Sequence, residues 1–152
     1  MVQQYKKNLS KYAVGRRVNM EEWNTRTGVA EAAIGFGVPV EAGTLGGQQV
    51  KAWDGAGVIL GITEAVPVLP RPGDEFAQYD NVPFCEIGVI GVDVAGTVAK
   101  DAPAFFNPTT GKFVPAAIED TAYAVPGATY DEAGTDAVVP LRYRRPNGAA
   151  AA

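Results

Sequence analysis

From Val89 to Phe113 the chain alternates short valine- and phenylalanine-rich runs with tight turns. Lys100-Asp101-Ala102-Pro103 separates two of these runs, and Asn107-Pro108-Thr109-Thr110-Gly111 introduces the next. Apolar runs of this length bounded by Gly, Pro, Asn and Asp are too short for helices and fit strands closed by turns. The same texture covers most of the chain, whose 18 Gly and 11 Pro are spread singly between apolar segments. Ile34 to Val40, Gln48 to Trp53, Val58 to Thr63, Phe84 to Val94, Tyr123 to Val125 and Ala137 to Tyr143 all read as strands. The expectation is an all-β fold of eight or nine short strands, a single jelly-roll-like β-sandwich or β-barrel with an extended N-terminal arm.

One stretch carries a conflict of register. Ile90, Val92 and Val94 share one face of an extended strand, whereas Ile87 and Val89 have the opposite parity. A strand can change parity only through a bulge, and Gly88 and Gly91 leave room for one. Residues 65–83, with four prolines, read as a connection. A chain of 152 residues forms one domain of this size and buries roughly 70% of the surface exposed when unfolded. The organisation expected is a basic arm over residues 1–30, a β body over residues 31–145 and a tail over residues 146–152.

The residue inventory removes much chemistry. There is no His, so the commonest metal ligand and the usual general base are both missing. Cys85 is the sole cysteine, which excludes an intrachain disulfide and a cysteine-rich zinc site. Residues 1–17 have no continuous apolar core of the secretory kind, and no apolar run approaches the ~20 residues that span a bilayer. A soluble protein made in a reducing cytoplasm, without a membrane partner, is expected.

Candidate sites remain weak on inspection. Gly55-Ala56-Gly57-Val58-Ile59-Leu60-Gly61 is spaced like a dinucleotide loop, but a phosphate cradle needs a helix N-terminus after it. The residues that follow read as a strand, so a plain turn is expected. Glu86 and Asp93 offer two carboxylates of the kind glycoside hydrolysis uses, yet each sits in an apolar strand where a solvated face suffices. Cys85, between Phe84 and Glu86, reads as a buried small hydrophobe. Lys100 follows a glycine-valine strand similar to those of biotinyl and lipoyl carriers, but Asp101-Ala102-Pro103 gives the wrong hairpin. No catalytic residue and no cofactor is expected.

Charge is sharply segregated. Residues 1–20 hold Lys6, Lys7, Lys11, Arg16 and Arg17 without an acid, and the C-terminal stretch adds Arg142, Arg144 and Arg145. Residues 21–141 set all seventeen acids against five bases, a net charge of −12. Three arrangements account for basic ends on an acidic body: the ends lie on the protein's own acidic surface, they reach an acidic partner, or they meet nucleic acid. The acidic body opposes the third by repelling phosphate.

The strand-and-turn segments resemble those of the structural cement, or capsid decoration, proteins of tailed bacteriophages. The resemblance rests on Gly96-Thr97-Val98, Lys100-Asp101-Ala102-Pro103, Phe105-Phe106 and Asn107-Pro108-Thr109-Thr110-Gly111-Lys112-Phe113. Ala56 to Ile62 resembles the family's strand before its central linker, and Pro126 to Tyr130 with Val139 to Arg142 resembles its closing turn and last strand. It implies a β body on the outside of an assembled head that clamps neighbouring major capsid subunits, with neither catalysis nor cofactor. The resemblance covers roughly residues 30–145 and not the basic segment, so on charge alone Lys6, Lys7, Lys11, Arg16 and Arg17 are expected as a capsid-binding arm, and Arg142, Arg144 and Arg145 as a second contact. The expected protein is a homo-oligomer, dimer or trimer, on the outer virion surface. The rival reading is a carbohydrate-binding β-sandwich module, which requires Trp23, Trp53, Tyr79 and Tyr130 to converge as stacking platforms.

Overall fold

The computed structural model describes residues 12–44, 48–66 and 75–146. They form strands and turns, with no helix among them. Chain order gives β1 (Asn24–Ala30), β2 (Ile34–Gly35), β3 (Pro39–Ala42), β4 (Gln49–Ala52), β5 (Gly61–Thr63) and β6 (Glu75–Phe76). The long β7 (Asn81–Asp93) is followed by β8 (Thr97–Val98), β9 (Pro103–Asn107) and β10 (Lys112–Val114). The last three are β11 (Tyr123–Tyr130), β12 (Gly134–Thr135) and β13 (Val138–Arg144).

Nine of these strands make one sheet in the order β1-β4-β3-β5-β7-β13-β11-β9-β10, and β1 also pairs with β7. That extra pairing closes β1, β4, β3, β5 and β7 into a five-stranded ring. The remaining strands return to the same β7: Val94, just past its end, bridges Phe113 of β10, and the Ala95 N–H donates to the Phe113 carbonyl at 2.8 Å. The body is therefore two small closed rings sharing one strand, which specifies the barrel alternative rather than a two-layer jelly roll. Two-stranded ribbons β2–β6 and β8–β12 lie outside the main sheet.

β7 serves both rings because each of its edges is occupied twice. Along one edge β5 pairs at Phe84 and Cys85, and β13 takes over from Ile87 to Asp93. Along the other, β1 pairs from Asn81 to Ile87. Beyond it Gly15 N–H donates to Gly91 O (2.8 Å), Gly91 N–H to Arg16 O (2.9 Å) and Val18 N–H to Val89 O (3.0 Å). The bulge expected at Gly88 or Gly91 is not there: pairing with β13 runs in unbroken register from Ile87 to Asp93. The shift falls earlier, at Glu86, which is skipped when Asn24 pairs with Ile87 and Thr25 with Cys85. Phe84 and Cys85 are both buried on consecutive positions there, as a parity switch requires.

The arm expected over residues 1–30 divides in the structure. Residues 24–30 are β1, a member of the first ring, and residues 15–18 are hydrogen-bonded to β7. Residues 1–11, with Lys6, Lys7 and Lys11, lie outside the described residues, as do the proline-rich residues 67–74 and the tail from residue 147. Ile34 to Val40 is not one strand: Gly37, at φ 67°, breaks it into β2 and β3. Of Val58 to Thr63 only Gly61–Thr63 is strand. Conversely, the Pro126-Gly127 turn is absorbed into β11, where the register to β9 shifts between Ala124 and Thr129.

The core is continuous across both rings. Trp53, just after β4, sets its ring 6.4 Å from Phe106 of β9 and 6.2 Å from Tyr123 of β11, so it joins the two halves. Its indole N–H donates to Gly57 O at 2.8 Å, which satisfies the polar edge of a nearly buried ring. Tyr130 is fully buried and donates its hydroxyl to Val114 O at 2.8 Å, tying β11 to β10 across the second ring.

Gly88 shows how closely the N-terminal segment is fitted to β7. Its φ of 153° suits few side chains, and a Cβ there would run into the six-membered ring of Trp23. Gly88→Ala is expected to lower stability by about 1–3 kcal/mol, the usual cost of overpacking. Thermal and urea unfolding check this, and in a Trp23→Ala background the penalty should shrink because the clashing ring is gone.

Candidate binding surface

The C-terminal arginines point out of β13 by strand alternation: Leu141 and Tyr143 are buried, while Arg142 and Arg144 emerge between and beyond them. Each is already engaged within the chain. Arg142 forks onto the Glu21 carboxylate, with Nη1 on Oε2 and Nη2 on Oε1 at 3.2 Å, and also reaches Asp131 Oδ1 at 3.1 Å. Arg144 lies 3.6 Å from Glu22 Oε2. Arg145 meets Glu86 Oε1 at 3.2 Å. For this end of the chain, the arrangement in which basic residues cover the protein's own acids is the one observed.

Glu86 is a structural hub. Asn24 Nδ2 donates to its Oε2 at 2.7 Å, and Arg26 and Arg145 share its Oε1 at 3.1 and 3.2 Å. The bulge in β7 turns this carboxylate toward the first residues of β1 and the last residues of the C-terminal strand, so one acid ties both ends of the body. Asp93, seven residues further along an extended strand, is on the order of 20 Å away and is paired with Lys112 at 3.8 Å. The two carboxylates do not form a site.

The other sequence candidates resolve likewise. Cys85 is fully buried, and burial pushes its thiol up to about 12, far from a reactive thiolate at neutral pH. Gly55 to Gly61 is a turn in which Ala56 N–H donates to Asp54 Oδ1 at 3.1 Å, and strand β5 begins at Gly61. Lys100 sits in a turn between β8 and β9, which pair with β12 and with β10 and β11 rather than with each other, so no carrier hairpin exists. Trp53 and Tyr130 belong to the core, Trp23 is half-buried on β7, and Tyr79 is exposed on a separate turn. The four do not form a sugar-stacking platform. No cluster of metal-ligating side chains occurs among the described residues, and no helix there is long and apolar enough to cross a membrane.

Arg16 and Arg17 lie where the N-terminal segment meets β7, and both are exposed. Arg17 is turned back onto its own loop. Its Nε donates to Asn19 O and its Nη2 to Glu21 O, both at 2.8 Å, and its guanidinium lies 5.4 Å from the centroid of Trp23. Trp23 passes its N–H to Thr25 Oγ1 at 2.7 Å, and Thr25 donates in turn to Glu64 Oε2 at 2.6 Å. Burial raises the Glu64 carboxyl above the usual range, against these hydrogen bonds. The structure thus gathers Arg17, Arg142 and Arg144 around Glu21 and Glu22. Those two acids were not singled out from the sequence, although the acid pair directly after a basic run was visible, as was the Arg-Tyr-Arg alternation that would face it.

This all-β chain matches, over residues 1–144, the family model described as "Structural cement protein (E217 gp24/Pam3 gp6)". The chain belongs to the structural cement protein family. Among solved structures, a chain from "The capsid of Myoviridae Phage XM1" aligns with a TM-score of 0.78 at 16% identity, covering 93% of this chain and 95% of that one. At that identity the likeness speaks for the fold. No curated protein matches. Family membership makes this cement protein a phage capsid-associated structural protein, as the strand-and-turn segments implied.

The Glu21–Arg142 contact has a pH signature. The hydrogen bond from Arg142 holds the Glu21 carboxyl below the usual carboxylate range. A depressed folded value means that the contact stabilises above the unfolded carboxyl's value, ~4.3, and is lost as pH falls through the lower folded value. Glu21→Gln should therefore be less stable than wild type at pH 7, with the difference closing below about pH 4. Paired unfolding curves between pH 3 and pH 7 measure it.

Proposed function

We propose that this cement protein decorates the outside of an assembled phage head and bridges neighbouring major capsid subunits, acting by binding alone. It is made in the bacterial host cytoplasm and joins the virion as a homo-oligomer, a dimer or trimer on shell symmetry axes. Its basic N-terminal segment, Lys6, Lys7 and Lys11 continued by Arg16, supplies the contact to acidic capsid surface. The observation that carries this reading is the family match over residues 1–144, and charge placement supports the part given to the segment.

The C-terminal arginines are neutralised within the chain, so Arg142, Arg144 and Arg145 serve the body before they serve a partner. Three lysines and Arg16 lead into the described body with no acid among residues 1–20. From Gly15 to Val18 the chain is fixed to β7, and Ala13 and Val14 pack against Gly91 and Gly37. Exposed ion pairs contribute only about 0.2–1 kcal/mol each. The basic segment therefore works as a tether beside a body contact of ordinary interface size, ~1,600 Å², gaining from the high effective concentration that the body contact gives it.

Removing residues 1–11 spares every described hydrogen bond to β7, whereas a cut at residue 17 would sever several of them. The 12–152 protein should melt with the wild type yet co-sediment at least tenfold more weakly with expanded heads lacking the decoration protein. The deficit should narrow as salt rises, because screening weakens the tether in the intact chain. Undiminished binding by the truncated protein would remove the segment from the mechanism, and wild-type protein that ignores both expanded heads and proheads would sink the capsid reading itself.

A further inference from the structure

The loop from Val18 to Trp23 holds the most exposed large apolar side chain described in this protein, Met20, at 89% exposure. A single exposed methionine is ordinary on a protein surface. The way this loop is held is not. Arg17 donates to the carbonyls of Asn19 and Glu21, on either side of Met20. Asn19 Oδ1 accepts from Glu21 N–H at 3.1 Å, closing the loop from inside. Glu21 and Glu22 are held from the body by Arg142 and Arg144, and Trp23 seats its ring over Gly88 while stacking with Arg17. Side chains on both flanks and from β13 converge on one short loop, yet none of them covers its apolar tip.

We propose that Met20 is a preformed docking knob that inserts into an apolar pocket on a major capsid subunit, next to the acidic surface engaged by the N-terminal lysines. The inference rests on the capsid reading and gives it a body contact. Ordering a loop in advance removes an entropic cost that binding would otherwise carry. Methionine suits the tip because an unbranched, polarisable side chain adapts to irregular apolar pockets, and Met and Arg are both enriched at interface cores. The occupant is argued from charge: Arg16 is exposed four residues before the knob, and residues 1–20 carry five bases and no acid. The pocket on the partner should accordingly be apolar at its floor and rimmed by carboxylates. Arg142 and Arg144 then act as positioning residues for the loop.

The test compares wild type, Met20→Asp, Met20→Leu and the 12–152 protein in co-sedimentation with expanded heads assembled from the major capsid protein alone, alongside melting and the oligomeric state of free protein. Met20→Asp should bind at least tenfold more weakly with unchanged melting and oligomeric state, and Met20→Leu should stay within about threefold of wild type. Met20→Asp binding as well as wild type, while the 12–152 protein fails, would overturn the knob and leave the capsid reading standing. A leucine variant as weak as the aspartate variant would overturn apolar insertion. Free protein whose oligomer dissociates on Met20→Asp would assign the knob to a second copy of this chain and refute the proposed occupant. Wild type without head binding would remove both readings together.

Discussion

The backbone of β7 is the constraint on which the rest depends. Thirteen consecutive residues run through the middle of the molecule, and a strand buried to this degree cannot leave its N–H and C=O groups unpaired. No neighbour is long enough to satisfy one of its edges alone. β5 hands over to β13 on one side, and β1 hands over to residues 15–18 on the other. This relay makes two rings out of one sheet, brings the beginning and end of the body to the same strand, and leaves at Glu86 the irregularity that the handover needs. Gly88 and Gly91 belong to the same logic, since both lie where the N-terminal segment presses against the strand.

Electrostatics follow from that convergence. Because β1 and β13 flank β7, the acids that follow the basic run and the arginines that end the body come to lie on one face. Individually these exposed pairs contribute little. Their collective effect is geometric: they hold the loop that carries Glu21 and Glu22 against β13. Positive charge at the C-terminal end is used up in this way.

Much of this was legible in the residues. The turns at Lys100-Asp101 and Asn107 to Gly111 and the strands on either side lie where the local chemistry placed them. The irregularity of β7, by contrast, falls at Glu86 and not at Gly88 or Gly91, because it is set by where β1 meets the strand. The strand β1 was not legible, because Asn24 to Arg26 are exposed and polar and present no apolar alternation; backbone pairing with β7 recruits them. β11 was hidden by Pro126-Gly127, which signals a turn in isolation but is tolerated at a shift of strand register. The Met20 loop was illegible for a different reason. Its parts come from residues about 120 positions apart, Glu21 with Arg142 and Glu22 with Arg144, and no local pattern announces a pairing across such a distance.

Ring closure has a further consequence. A sheet that ends in open strands offers unpaired N–H and C=O groups to any neighbour, and crowding makes that offer dangerous. Among the described residues, the first ring closes through β1 and β7, the second through Phe113 and Val94, and the two ribbons outside them are only two residues long. Copies packed side by side therefore have little exposed strand edge through which to zip together into fibrils. Crowded at high local density, such a molecule stays a set of discrete units, and what holds it to its neighbours is left to side chains, which selection can tune one at a time.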